Sequence, residues 1–393
     1  MTQKQGYGKL LFIYCIIFLI QYILLRATFA GKGVGVQGEN YGDGILYLLL
    51  DGIMLYLIVR YAFLQKTKWP SVIVASMIFV ILQYLSLFSA SHSMEFIMRL
   101  FSWFLILLGI YSFLRVKPYQ LQLSNLFAYG LIFLSVYTIQ SEVTIRQLAY
   151  ESGLNEIYWV ELGLPFAFLV KNKKLRWGLI ISIGIAVLLS MKATAILVYV
   201  LAVLSGQILQ IKCEKRNTSS RFIYLLVIML GLVLLWPIIS DLLLDKLGIS
   251  WAAKYEESID TGGSGRMAIW VKVFDLLSCS NATELFFGHG HDSVFKAIGF
   301  SAHNDFLEIF YDYGLFVFFV YLIFCMQLIR KLVRMIKVRS VYAPAMGMSL
   351  MIFFVASINT HLIIYPGLLM NLAAVWAICM SSDEVYSDTI IQR

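Results

Sequence analysis

Apolar windows of about 15–22 residues recur from one end of this sequence to the other, each close to what a hydrocarbon layer of roughly 30 Å demands of a helix. They fall near residues 10–26, 45–63, 71–90, 96–114, 124–140, 158–170, 177–190, 194–211, 222–240, 306–329, 343–360 and 362–380. The sixth and seventh are short. A water-soluble domain has no interior large enough to hide so much apolar surface: 60% of the 393 residues are hydrophobic and only 14% are charged. A membrane β-barrel would read as short alternating segments instead. The expected fold is therefore all-α, a polytopic integral membrane protein with about twelve transmembrane helices.

The net charge of +8 invites a nucleic-acid reading, but topology explains it better. With the N-terminus inside, the cytoplasmic segments, together with Arg60 at the inner end of the second window, hold 21 of the 31 Lys and Arg residues, notably at 171–176, 212–216 and 330–339. Of the 23 carboxylates, only Glu214, Asp383, Glu384 and Asp388 fall inside. The pattern predicts both termini in the cytoplasm and no nucleic-acid partner. The first window follows a short basic start, MTQKQGYGK, with no clear small-residue cleavage site, and reads as an uncleaved helix. The five cysteines are scattered, with no external pair and no zinc-like spacing, so neither a disulfide nor a metal is expected.

Most joints between windows are short, but one runs 63 residues, from Asp241 to His303, on the outer side. It divides the chain into a membrane part (1–240), a large external loop (241–303) and a second membrane part with a cytoplasmic tail (304–393). Within the loop, DTGGSGRMAIWVKVFDLL (260–277) places a glycine run before Ile269, Trp270, Val273, Phe274 and Leu277, which recur at helical spacing. Ser264 suits an N-cap. Arg266 then lies in the first turn, where a cation opposes the helix dipole unless an anion offsets it. Free N–H groups beside a guanidinium suit a phosphate. The plain alternative is a glycine linker leading into an interfacial helix. The loop carries five basic and eight acidic residues, so it is no general basic surface, and a phosphate would need a local site.

The next stretch, FFGHGHDSVFKAIGFSAHNDFLEIFYDYG (286–314), is the densest polar cluster in the chain. Gly288, Gly290 and Gly299 mark turns. His289 and His291 lack the further ligands of a metal site and fit a turn. His303 opens a helical pattern in which His303, Leu307 and Phe310 share a stripe, beside Asn304, Glu308 and Tyr311 and then Asp305, Ile309 and Asp312. A histidine at the mouth of a span can act as a general base near neutral pH, and neighbouring carboxylates can orient it or hold sugar hydroxyls. An interfacial belt of aromatic and polar residues fits the same pattern. In LLSMKATAIL (188–197), Lys192 is the only charge of a short external turn, and either snorkels to headgroups or meets an anion. Arg99 with Glu95, Asp51, His361 and the polar loop at 140–156 are weaker candidates.

The order of Ser264-Gly265-Arg266, Gly288-His289-Gly290, His303-Asn304-Asp305-Phe306-Leu307-Glu308 and Tyr313-Gly314, set after a large outer loop, resembles the O-antigen polymerase and ligase superfamily. The resemblance is firmest over about 260–330 and elsewhere rests on topology. It implies transfer of glycan from undecaprenyl diphosphate to an acceptor hydroxyl at the outer face of the bacterial inner membrane, with no metal and no cofactor. It further implies that Arg266 and Lys192 bind the diphosphate, that His303 is the base, and that Asn304, Asp305 and Glu308 bind sugar or orient the histidine. Lys192 departs from the family pattern, which has an arginine there. That replacement favours a polymerase of O-antigen or capsular repeat units over a ligase acting on lipid A core. A polysaccharide chain-length regulator is a partner such polymerases use. A flippase for the same lipid-linked oligosaccharide is the reading from another class, but it would show symmetric halves, and no repeat is visible here.

Overall fold

The computed structural model describes residues 2–29, 44–64, 68–87, 94–149, 157–190, 192–214, 266–360, 362–363 and 366–391. The window at 222–240, the glycine run with Ser264, and His361 lie outside the described residues, as do the side chains of Glu95 and Arg99. Among the described residues the chain is all-helical, with no strand.

Among the described residues, eight helices precede the long loop: α1 (Thr2–Phe29), α2 (Gly44–Leu57, continued by a π-helical turn Ile58–Phe63), α3 (Ser71–Leu87), α4 (Met94–Val116), α5 (Gln120–Ala149), the short α6 (Ile157–Glu161), α7 (Lys173–Leu189) and α8 (Ala193–Glu214). A 3-10 turn, Leu164–Phe168, follows α6 and carries Pro165 in its first turn. Within the loop come α9 (Arg266–Cys279), α10 (Ala282–Phe287) and α11 (Ser293–Ile298), and after it α12 (Asp305–Lys337), α13 (Ala343–Asn359) and α14 (Pro366–Ile391). The segment predicted as a polar loop at 140–156 is helical as far as Ala149. Its run Ser141–Gln147 contains no glycine or proline to stop α5.

Among the described residues, four helical segments are long and apolar enough to cross a bilayer: Ile45–Phe63, Gln120–Thr144, Thr194–Glu214 and Asp305–Lys337. Six shorter apolar helical stretches accompany them. The outward faces are apolar too. On α12, Phe316, Phe319, Ile323 and Met326 are exposed, while Val317, Tyr321, Phe324, Cys325 and Leu328 point inward. A helix apolar all round is adapted to hydrocarbon on one side and protein on the other.

The core is aromatic where α4, α12, α13 and α14 meet. Trp376 packs edge-on against Phe353 (5.4 Å) and Phe324 (6.0 Å), and its indole N–H donates to the Ser349 hydroxyl at 3.0 Å. α14 packs along α4, α13 along α8, and α12 along α3. Several buried polar groups are paired across helices, as apolar surroundings favour. Gln21 donates to Asn371 (2.7 Å), Asn371 donates to the Trp159 carbonyl (3.1 Å), and Ser102 donates to Asp51 (2.9 Å). The Asp51 pairing gives that residue a structural partner inside the bundle.

Candidate functional site

Local chemistry fixes three helix starts at one end of the bundle. Ser190 ends α7, and its hydroxyl accepts the Lys192 N–H at 3.3 Å, turning the chain into α8, whose first turn begins on the Lys192 carbonyl (Ile196 N–H, 3.0 Å). Arg266 is the first residue of α9. Asn304 caps α12: its side-chain oxygen accepts from the N–H groups of Phe306 (3.0 Å) and Leu307 (3.2 Å). That cap places His303 outside the helix, not on its first stripe as the periodicity predicts. It also employs, as a cap, the Asn304 oxygen predicted to meet sugar.

Two contacts bring these starts together. Arg266 Nη1 donates to Thr194 Oγ1 at 3.2 Å, joining the first turns of α9 and α8. Trp270, one turn further along α9, donates its indole N–H to the Ala302 carbonyl at 2.9 Å, next to His303. His303, Arg266 and Lys192 are all half-buried. Burial lowers the His303 pKa, and the charges of Arg266 and then Lys192 lower it further, to about 4. The imidazole is therefore neutral at pH 7 and able to accept a proton. Its backbone has φ 51°, a left-handed conformation uncommon for a residue with a Cβ and frequent where function requires it. So the three residues Lys192, Arg266 and His303, drawn from distant parts of the sequence, occupy one neighbourhood of cations and helix N-termini, an arrangement suited to an anion.

The carboxylates of α12 are buried in the protein. Asp305 is 1% exposed and accepts from the Ile363 N–H at 3.3 Å. Glu308 is 1% exposed, lacks a hydrogen-bond partner of good geometry on either oxygen, and has Asp312, Asp305 and Asp292 as its charged neighbours. Asp312 accepts the N–H groups of Asp292 (2.8 Å) and Val294 (3.0 Å), which fastens the start of α11.

The glycine motifs form the scaffold behind the site. Gly314 (φ 78°, ψ 175°) breaks α12, and a break leaves carbonyls one turn earlier in need of donors. The N–H groups of His289 and Gly290 supply them, to Tyr311 O (3.1 Å) and Asp312 O (2.8 Å). Gly288 and Gly314 press so closely that a Cβ on either would strike the other's surroundings: Asp312 and Tyr313 from Gly288, Gly288 and Phe286 from Gly314. His289 stacks on Tyr311 (4.1 Å, 8°) and its Nε2 meets the Ser280 hydroxyl at 3.1 Å; buried His291 hydrogen-bonds Tyr313. Both histidines thus hold turns. Among the described residues, no three His, Cys, Asp or Glu side chains are grouped to hold a metal ion.

Sequence reasoning missed Thr194 and Trp270. Thr194 sits two residues after Lys192, and only the long-range contact with Arg266 marks it. Fully buried Glu161, beside Tyr158 and Tyr199, was also unflagged because its window reads as an apolar span. No family model matches the chain, and no curated protein sequence does.

Proposed function

We propose that this protein is a membrane glycosyltransferase that polymerises oligosaccharide repeat units carried on undecaprenyl diphosphate. In this reading the bundle crosses the bacterial inner membrane about twelve times. Both termini are cytoplasmic, and the end bearing Lys192, Arg266 and His303 faces outward. The observation that carries it is the meeting of two cations and a neutral histidine at the starts of α8, α9 and α12. The outward apolar faces of the helices support the membrane setting.

The chemistry follows from that geometry. The donor's diphosphate lies against the Arg266 guanidinium, the Lys192 ammonium and the helix N-termini. His303 takes the proton from the acceptor hydroxyl as its oxygen bonds to the anomeric carbon. The bond from that carbon to the diphosphate breaks, and its electron pair leaves on the diphosphate oxygen, where the two cations offset the growing charge. Bound diphosphate also neutralises the charges that depress the His303 pKa, so the base strengthens when substrate is present.

The test is a surface-polysaccharide gel from a knockout strain carrying wild type, His303→Ala, Arg266→Ala or Lys192→Ala at matched protein levels. Wild type is expected to restore a full ladder. His303→Ala and Arg266→Ala are expected to leave core plus one repeat unit, a loss of about 10²–10⁴ in rate for the base. Full ladders from all variants would remove this site, whereas full chains stranded on the carrier in the knockout would make the enzyme a ligase.

A further inference from the structure

The helices that start at the candidate site end at a second polar cluster. α8 ends at Glu214, α12 at Lys337, and α7, running the other way, begins at Lys173. At about 1.5 Å per residue, the 22 residues of α8 set the two ends roughly 33 Å apart. Between these ends and the start of α5 lies a half-enclosed cavity of about 350 Å³.

Three cations line it, Lys171, Arg176 and Arg339, against one carboxylate, Glu214. Arg176 is held rigidly: its guanidinium donates to the carbonyls of Ala167 (3.1 Å) and Val170 (3.2 Å) and to Gln210 (3.3 Å), and it lies over the Phe168 ring at 5.4 Å. Two of its five N–H donors are left over from these bonds. Glu214 accepts from Gln210 Nε2 at 2.7 Å, so the carboxylate is drawn into the same hydrogen-bonded chain. Arg339 follows the end of α12 at φ 55°, a position where glycine is the usual residue, so a cation is kept there against backbone preference. Leu121, Phe168, Leu169, Val341 and Pro344 supply apolar wall. Val341 and neighbouring Val338 are largely exposed at the lip.

We infer that this cavity binds the phosphate diester headgroup of an anionic phospholipid. A fixed guanidinium with two exposed cations matches a phosphate, and the apolar wall with exposed valines at the rim matches the glycerol and upper acyl chain. A free phosphate would use the cations alone. The inference does not depend on glycosyl transfer at the other end, only on the bundle's lying in a membrane.

The test uses the full chain, purified in detergent and stripped of lipid, with binding followed by native mass spectrometry. The probes are dioctanoyl phosphatidylglycerol, dioctanoyl phosphatidylcholine and inorganic phosphate. Lys171 is exposed, as is Arg339, so K171Q/R339Q removes two lining cations with little risk to folding. K173Q/K174Q, on exposed residues of the same end outside the cavity, removes equal charge. Wild type is expected to prefer phosphatidylglycerol to phosphatidylcholine, and K171Q/R339Q to bind it roughly 30-fold more weakly. The control should keep wild-type affinity. Equal binding of both lipids, or an equal loss in the control, would overturn the site. Inorganic phosphate that competes at the lipid's own concentration would overturn the lipid assignment in favour of a soluble phosphate.

Discussion

His303 carries two costs at once, a left-handed backbone and a desolvated ring beside two cations. The second has a measurable sign. Burial is the larger cause of its lowered pKa, followed by Arg266 and Lys192. Between the ordinary value of 6.5 and about 4, the unfolded chain binds a proton that the folded chain refuses. His303 therefore withdraws stability as pH falls through that window, and costs none above it. If His303 is the base, as proposed, the same shift sets the acid limb of activity. In a reconstituted assay, kcat/KM for the wild type should hold down to a pH near 4 as far as this group is concerned. Lys192→Gln removes one of the two charges and leaves the burial, so the limb should move upward but stop short of 6.5. A wild-type limb already at the ordinary histidine value, or one that Lys192→Gln leaves in place, would show that His303 does not titrate beside these cations.

At the scale of elements, the break in α12 decides where the polar cluster sits. The segment Leu315–Lys337 below Gly314 is about 34 Å long, enough for a hydrocarbon core, while Asp305–Tyr313 stands above it against the loop helices. Gly314 and Gly288 share a backbone region that is nearly exclusive to glycine, and each is crowded by the other's chain. Gly314→Ala and Gly288→Ala should each cost about 3 kcal/mol or more, and sharply reduce the monodisperse peak in detergent size-exclusion chromatography. Gly299→Ala is the comparison. Its φ of 77° is also left-handed, but no atom lies within 4 Å of the added Cβ, so about 1 kcal/mol is expected. Comparable expression and melting for all three would refute the interlock. The sequence marks Gly288 and Gly299 as turns but not Gly314, and the apolar windows of α2, α8 and α12 mark helices. What it hides is pairing: His289 with Tyr311, Asp312 with Val294, and Arg266 with Thr194 are separated by 22, 18 and 72 residues. Asp312 and Asn304 look like ligand groups in one dimension because their hydrogen-bond partners are backbone N–H groups, which every residue carries.

For the molecule as a whole, charge is sorted between the two ends of an apolar bundle. Lys171, Lys173, Lys174, Arg334, Lys337 and Arg339 stand at one end; Lys192, Arg266 and the acidic turn of α12 stand at the other. In the proposed topology, retention of positive charge in the cytoplasm orients the first end inward. The chain's own cysteines report on this. Cys279 is exposed at the end of α9, on the side of the candidate site, and Cys213 lies near the end of α8, at the opposite side. Cys15 lies inside an apolar window, which the proposed membrane setting shields from an impermeant reagent. A membrane-impermeant maleimide applied to intact cells should therefore label the wild type, and Cys279→Ser should abolish that label. Cys213→Ser should keep it, and permeabilised cells should add a second label in the wild type. Labelling that survives Cys279→Ser but disappears with Cys213→Ser would turn the bundle over. It would put the candidate site in the cytoplasm, where the proposed polymerase of exported repeat units has no substrate.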